Sequence, residues 1–505
     1  MADGASRPSR GPAGPAWILL RVALSVVGGA LLMSWLFLAV VHVDDRYNVG
    51  WVEGSKMALA RSAETGVLYP PLYDGHRYGG TRFMPIPILL HAAVAKLTNE
   101  YVTSGKVVAY ASTGLLLGLT FLILRGMRVP LFGAAALTAG VLATRPGLLA
   151  GTTIEGDALS VLLQLAAVAW VVATDKRPAT VGAAALCTLA IGTKLSAVWA
   201  PPAISVWFLM HDRRRLLLYL GALVPLVLGM LSLFQVLSDG RLLANLAEVS
   251  FAGVGGASDV LRSPLRLIEL AIDSAPVLLV VAPFALLAEP LVAGRSALSI
   301  YYLALLAAIL VLLVVLSDRG ATENHLLDIT VLSFIVVGRA WSVAARHEAA
   351  RLLVPIVAFA VLWGVGVSAL VEVRPEVQRA VGAVIHGSSQ PELGRVVGPR
   401  DRLLAEDPSV PVSLGRTPVV LDPWMLLRLG RSHPDWVADL AARIEHGSFD
   451  KVLLVYPLSF QAWYREVHFG EVVSDAIRES YRLAGHREGY YVYVPAAGGR
   501  GSTSP

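Results

Sequence analysis

Apolar residues fall in repeated blocks of about twenty along this chain, the length a helix needs to cross a bilayer core of roughly 30 Å. In hydrocarbon every backbone N–H and C=O must find its partner within the chain, so such blocks become helices. Composition agrees: of 505 residues, 55% are hydrophobic and only 16% charged, with mean hydropathy +0.62. A soluble chain carries about a quarter charged residues. The sequence predicts an α-helical polytopic membrane protein.

The first block, Ala16–Val43, follows Arg7 and Arg10. It is too long for a signal peptide and lacks a small-residue cleavage site, so it reads as a retained anchor. Further crossings are expected at Val107–Leu124, Val129–Ala150, Ala158–Ala173, Leu216–Leu237, Ala275–Ala293, Ala297–Leu316, Leu326–Val337 and Leu353–Val371. Met84–Leu97, opened by Pro85 and Pro87, is short and reads as an interfacial helix.

As one helix, the block Ala179–Met210 would be about 48 Å long, so two crossings turning around Lys194 fit better. Charge checks that choice. With the split, Arg125/Arg128, Lys176/Arg177, Arg213–Arg215, Arg295 and Arg339/Arg346/Arg351 all fall on the cytoplasmic side. Without it, Arg213–Arg215 would lie outside and every later loop would invert. About eleven spans follow, with a cytoplasmic amino terminus (1–15), a transmembrane domain over 16–371 and a first outer loop over 44–83.

From Glu372 the composition turns to an ordinary soluble mix. Val419–Leu421, Val452–Tyr456 and Tyr490–Val494 read as strands and Pro434–His446 as a helix. A small extracytoplasmic α/β domain is expected over 372–497, with a disordered tail at 498–505.

The net charge of +5 and pI near 9.3 do not indicate nucleic acid, because the basic clusters sit between apolar blocks as topology determinants. The single cysteine, Cys187, lies inside an apolar block, which excludes an intramolecular disulfide. No Gly-rich phosphate loop appears, nor any paired-His or Cys metal spacing, so no cofactor and no metal is expected. The one metal arrangement left open is a divalent cation held between Asp44/Asp45 and Glu155/Asp157.

The expected topology brings several polar groups to the outer level: Asp44 and Asp45; Glu155 and Asp157; Lys194; and Asp318, Arg319, Glu323, Asn324 and His325. A carboxylate there can deprotonate an acceptor hydroxyl. Lys194 and Arg319 can hold a leaving phosphate by charge-assisted bonds. Tyr47, Tyr69, Tyr73 and Tyr78 offer faces on which sugars stack. Structural roles compete with these: Asp157 as a helix-start acid, Lys194 snorkelling, Asn324 and His325 as caps. Asp44 and Asp45 have the least structural reason, since they follow a helix C-terminus, where the macrodipole disfavours negative charge.

With these residues in place, the chain resembles the GT-C superfamily of integral-membrane glycosyltransferases. It looks most like the branch of dolichyl-phosphate-mannose protein mannosyltransferases and bacterial aminoarabinose transferases. The likeness runs from about Trp17 to Val371 plus an outer soluble tail. It is carried by Asp44-Asp45, Gly66-Val67-Leu68-Tyr69-Pro70-Pro71, Met84-Pro85-Ile86-Pro87, Glu155-Gly156-Asp157-Ala158-Leu159, Ala190-Ile191-Gly192-Thr193-Lys194 and Glu323-Asn324-His325-Leu326-Leu327. At Glu155-Gly156 the branch tends to have Arg-Pro, a departure that removes a basic group.

The resemblance implies a polyprenyl-phosphate sugar donor, inversion at the anomeric carbon, and a glycan, lipid or protein acceptor on the outer face of the cell membrane. Asp44, Asp45 and Asp157 would be catalytic and Lys194 and Arg319 would bind the donor phosphate. Glu155, Tyr69, Tyr78, Asn324 and His325 would contact substrate. The rival classes are a transporter or lipid flippase, for which the in-span carboxylates Asp328 and Glu289 would be the carriers, and a non-catalytic scaffold.

Overall fold

A computed structural model of the chain describes residues 14–250, 257–293, 298–318, 320–347, 352–386 and 392–496. The expected amino-terminal segment up to residue 13, Arg319, the tail 498–505, and Arg7, Arg10, Arg295 and Arg351 of the basic clusters lie outside the described residues.

Helices dominate. In chain order they are α1 (Pro15–Val41), α2 (Trp51–Glu64), α3 (Pro85–Thr98), α4 (Tyr101–Gly126), α5 (Leu131–Gly140), α6 (Arg145–Ala150), α7 (Asp157–Ala173), α8 (Arg177–Thr193), α9 (Ala200–His211) and α10 (Arg213–Leu237). There follow α11 (Arg241–Asn245), α12 (Ala257–Ser274), α13 (Leu278–Ala293), α14 (Ile300–Val315), α15 (Leu327–Ala344), α16 (Leu353–Ser368) and α17 (Arg374–His386). Among the described residues, five helices are long and apolar enough to cross a membrane: Pro15–Val41, Tyr101–Gly126, Arg213–Leu237, Glu323–Ala344 and Leu353–His386. Other expected crossings form apolar helices of 10–17 residues, such as Asp157–Ala173 and Ile300–Val315.

Local chemistry explains where the elements depart from expectation. The block 129–150 is broken into α5, a 3-10 turn at Val141–Ala143 and α6. Pro146 stands in the first turn of α6, and the Thr144 hydroxyl accepts from the Gly147 N–H at 3.3 Å, so a new helix starts there. The block 179–210 holds two helices as expected, α8 and α9, parted at residues 194–199 from Lys194 onward. As the short span drawn from Leu326 leads one to expect, α15 runs past Gly338, to Ala344; the run from Leu353, by contrast, passes the expected boundary at 372 through a π turn, Ala369–Val373, into α17.

A large apolar cluster joins α1, α4, α5, α7, α8 and α13 to α16. Small residues let these helices approach closely: a Cβ on Gly140 would lie 2.8 Å from the Phe334 ring.

A four-stranded sheet forms beyond the helices: β1 (Leu403–Ala405), β2 (Lys451–Leu454), β3 (Tyr481–Arg487) and β4 (Tyr490–Pro495), in the order β1-β2-β4-β3. The β1–β2 pair is parallel and the others antiparallel. Val419–Leu421, expected as a strand, instead makes a single bridge from Val420 to Tyr78. Strands β1 and β3 escaped notice because β1 has three residues and β3 is a mostly exposed, polar edge.

The loop after α1 is knitted to this region. Arg46 donates to Asp407 Oδ2 at 3.2 Å, Ser413 Oγ at 3.0 Å and Tyr490 OH at 2.9 Å. The Tyr78 backbone exchanges hydrogen bonds of 2.8 Å with Val419 and Leu421.

Candidate active site

One end of the helical bundle encloses a cavity of about 150 Å³, walled by α2, α3, α4, the loop into α7, the end of α8 and the loop before α15. Close approach of α3 shapes it: Gly156 accepts a neighbour in Pro87, whose Cγ would stand 3.0 Å from any Cβ added there. Asp157 opens α7, where the helix dipole favours a carboxylate. Lys194 lies just past the end of α8.

Of the residues singled out by sequence, Glu155, Asp157, Lys194, Asn324 and His325 all line this cavity. Asp157 is buried, ion-paired with Lys194, and accepts from Asn324 Nδ2 at 3.3 Å. Glu155 has one buried oxygen, Oε2, with no hydrogen-bond partner. Burial pushes its carboxyl well above the usual carboxylate range; the charge on Lys56 opposes that shift, and the neighbouring Asp157 adds to it.

Two further cations line the same space, and sequence reasoning missed both. Lys56, on α2, rests over the Phe83 ring at 5.1 Å. Arg82 approaches Asp318 at 3.5 Å. Lys56 gave no signal beyond a helical pattern; for Arg82 the one cue was its place just ahead of the Pro-rich start of α3.

Asp44 and Asp45 stand apart from the cavity lining and from each other in environment. Asp44 is exposed, whereas Asp45 is 7% exposed. Asp45 Oδ2 pairs with His42 Nδ1 at 2.5 Å, and Oδ1 accepts from Tyr47 N–H at 2.9 Å and from Lys106 Nζ at 3.3 Å. Lys106, fully buried on α4, also donates to the carbonyls of His42 at 2.6 Å and Asp45 at 2.8 Å. Burial alone would push the Asp45 carboxyl up; the His42 hydrogen bond and the Lys106 charge outweigh it and hold the group below its usual range.

The tyrosines are elsewhere too. Tyr69 is buried with its hydroxyl donating to the Phe83 carbonyl at 2.8 Å, and Tyr78 donates to Asp439 at 2.6 Å beside a second cavity. The in-span carboxylates have partners: Asp328 accepts from Trp199 Nε1 at 2.6 Å, and Glu289 accepts from Arg339 at 2.8 Å and Ser299 N–H at 2.9 Å. Among the described residues no group of three or more His, Cys, Asp or Glu side chains converges as a metal site.

The packed apolar helices, five of them long enough to cross a bilayer among the described residues, define a multi-pass membrane protein whose fold is found in solved structures. The chain is similar to ArnT from Cupriavidus metallidurans. Against the structure bound to undecaprenyl phosphate the TM-score is 0.59 at 16% identity, covering 97% of this chain and 100% of that one. Against the apo structure it is 0.60 at 15% identity, covering 96% and 99%. No family model and no curated protein sequence matches the chain.

Proposed function

We propose that this protein is a membrane glycosyltransferase that moves a sugar from a polyprenyl-phosphate donor to an acceptor hydroxyl on the outer face of the membrane. The observation that carries the reading is the cavity in which Glu155 and Asp157 stand among Lys56, Arg82 and Lys194. A phosphate leaving group needs cations placed where its charge develops, and a hydroxyl nucleophile needs a base within reach. The ArnT structure of the same fold was solved with undecaprenyl phosphate, which supports a lipid phosphate as the carrier.

In this reading the C1–O bond to phosphate breaks, and its electron pair leaves with the phosphate, held by Lys56, Arg82 and Lys194. The acceptor oxygen bonds to C1 from the opposite side, with inversion, and its proton passes to Glu155. Glu155 is chosen because its carboxyl lines the cavity and burial makes it, once ionised, a stronger base than an ordinary carboxylate. Asp157 holds Lys194 in place. Asp45 is read as structural; Asp44, exposed on the first loop, is the alternative base. The basic clusters support a cytoplasmic amino terminus and an extracytoplasmic sheet-bearing region. The acceptor is an envelope glycan, lipid or protein.

The test uses the full chain in nanodiscs with a radiolabelled polyprenyl-phosphate sugar and envelope acceptor fractions. Label transfer by the wild type, and none by Glu155→Gln at equal protein level, is expected. A wild-type protein that neither binds nor consumes any polyprenyl-phosphate sugar sinks the reading.

A further inference from the structure

The cavity is not built by the helical bundle alone. The guanidinium of Arg82, one of its cations, lies 4.5 Å from the ring centroid of Trp424. Trp424 belongs to the sheet-bearing region, in the short helix Pro423–Leu429. Asp422 caps that helix, its Oδ1 accepting from the N–H groups of Trp424 and Met425 at 3.0 and 3.1 Å, which anchors the indole at its backbone. Trp424 is 6% exposed and shares an apolar cluster with Met425, Leu429 and Trp51, the last of which lines the cavity. Trp424 also packs directly against Gly320. Gly320 lines the cavity, and a Cβ there would stand 2.9 Å from the indole Cη2. A second guanidinium, Arg428, lies 4.8 Å from the same ring.

We infer that Trp424 is a positioning residue for the donor phosphate, setting the plane and direction of the Arg82 guanidinium. This rests on the reading of the cavity as the donor-phosphate site. Among the described residues Arg82 has one carboxylate contact, to Asp318, and at 3.5 Å it is too long to fix a planar group. A guanidinium resting over an indole face is confined by it and loses less side-chain freedom on gripping a ligand. The region after residue 400 thereby governs affinity at a site whose other walls come from the membrane helices and the first loop.

The test measures binding of undecaprenyl phosphate alone to the full-length protein in nanodiscs, beside kinetics with the sugar-linked donor. Trp424→Phe and Trp424→Leu both shrink the indole, but only leucine removes the π face. Trp424→Leu is expected to raise the Kd for undecaprenyl phosphate and the donor KM about threefold to thirtyfold. Because Arg82 also meets the charge that develops on the leaving phosphate, kcat at saturating donor should fall as well, and Trp424→Phe should lie much nearer the wild type in KM, Kd and kcat. In an Arg82→Gln background, Trp424→Leu should add nothing. Equal losses for phenylalanine and leucine, full additivity with Arg82→Gln, or a lowered Tm with unchanged binding overturns the inference. A wild type that binds no undecaprenyl phosphate overturns the donor-site reading instead.

Discussion

The Asp45 network and the Glu155–Asp157 cavity each set a carboxylate against a lysine, yet one is sealed and the other open. Lys106 is fully buried, and its three donors go to the His42 carbonyl, the Asp45 carbonyl and the Asp45 carboxylate. It closes the turn after α1 onto α4 and has nothing left to offer a ligand. Lys194 keeps a fifth of its side chain exposed, 21%, pairs with Asp157 and faces a cavity. A lysine with every donor taken holds structure; one with donors to spare can hold a phosphate.

The largest expected effect separates the two carboxylate sites by chemistry. Glu155→Gln should cost about 10²–10⁴-fold in kcat, while Asp45→Asn leaves transfer per folded molecule near the wild-type rate. Equal losses in steady-state assays would erase the distinction. Next in size is stability. Lys106→Met leaves two buried carbonyls unpaired and the Asp45 carboxylate with only His42 and the Tyr47 N–H, and should cost about 1–3 kcal/mol, read as a fall in Tm. Lys194→Gln should instead weaken undecaprenyl phosphate binding, by about tenfold or more, measured by titration.

The pH dependence sharpens the contrast further, because the two groups shift in opposite directions. Asp45 is depressed in the folded protein, so its stabilisation is present above the ordinary value of 3.8 and is lost as pH falls through the lower folded value. Glu155 is raised, so its contribution is present below the ordinary value of 4.5 and is lost as pH rises through the folded value. Tm against pH should therefore lose its acid-side fall in Asp45→Asn and its opposite slope in Glu155→Gln. Transfer should rise with pH as Glu155 ionises. The smallest effect belongs to Asp44→Asn: on an exposed loop it should move stability by no more than about 0.5 kcal/mol and leave transfer nearly unchanged. A large loss of transfer there would move the base from the cavity to the first loop.

Much of the helical architecture was legible because its signals are local. Block length and the excess length of 179–210 are read within a few tens of residues. The positions Glu155, Asp157, Lys194, Asn324 and His325, picked out by their shared place at helix ends, line one cavity. The neighbours that decide their chemistry were not legible. Lys56 looks like any helix-face lysine, and Arg82 acquires its setting from Trp424, several hundred residues later in the chain. Nor could the sequence divide Asp44 from Asp45, since the residue that seals Asp45 lies 61 positions away on another helix.

By itself, then, the sequence determined that this chain lies in a membrane as helices, because satisfying the backbone in hydrocarbon leaves few alternatives and depends only on runs of residue type. Tertiary structure alone decided which carboxylates are sealed and which are available. Burial, donor count and the distance to the next charge are properties of packed neighbours, and those come from distant parts of the chain.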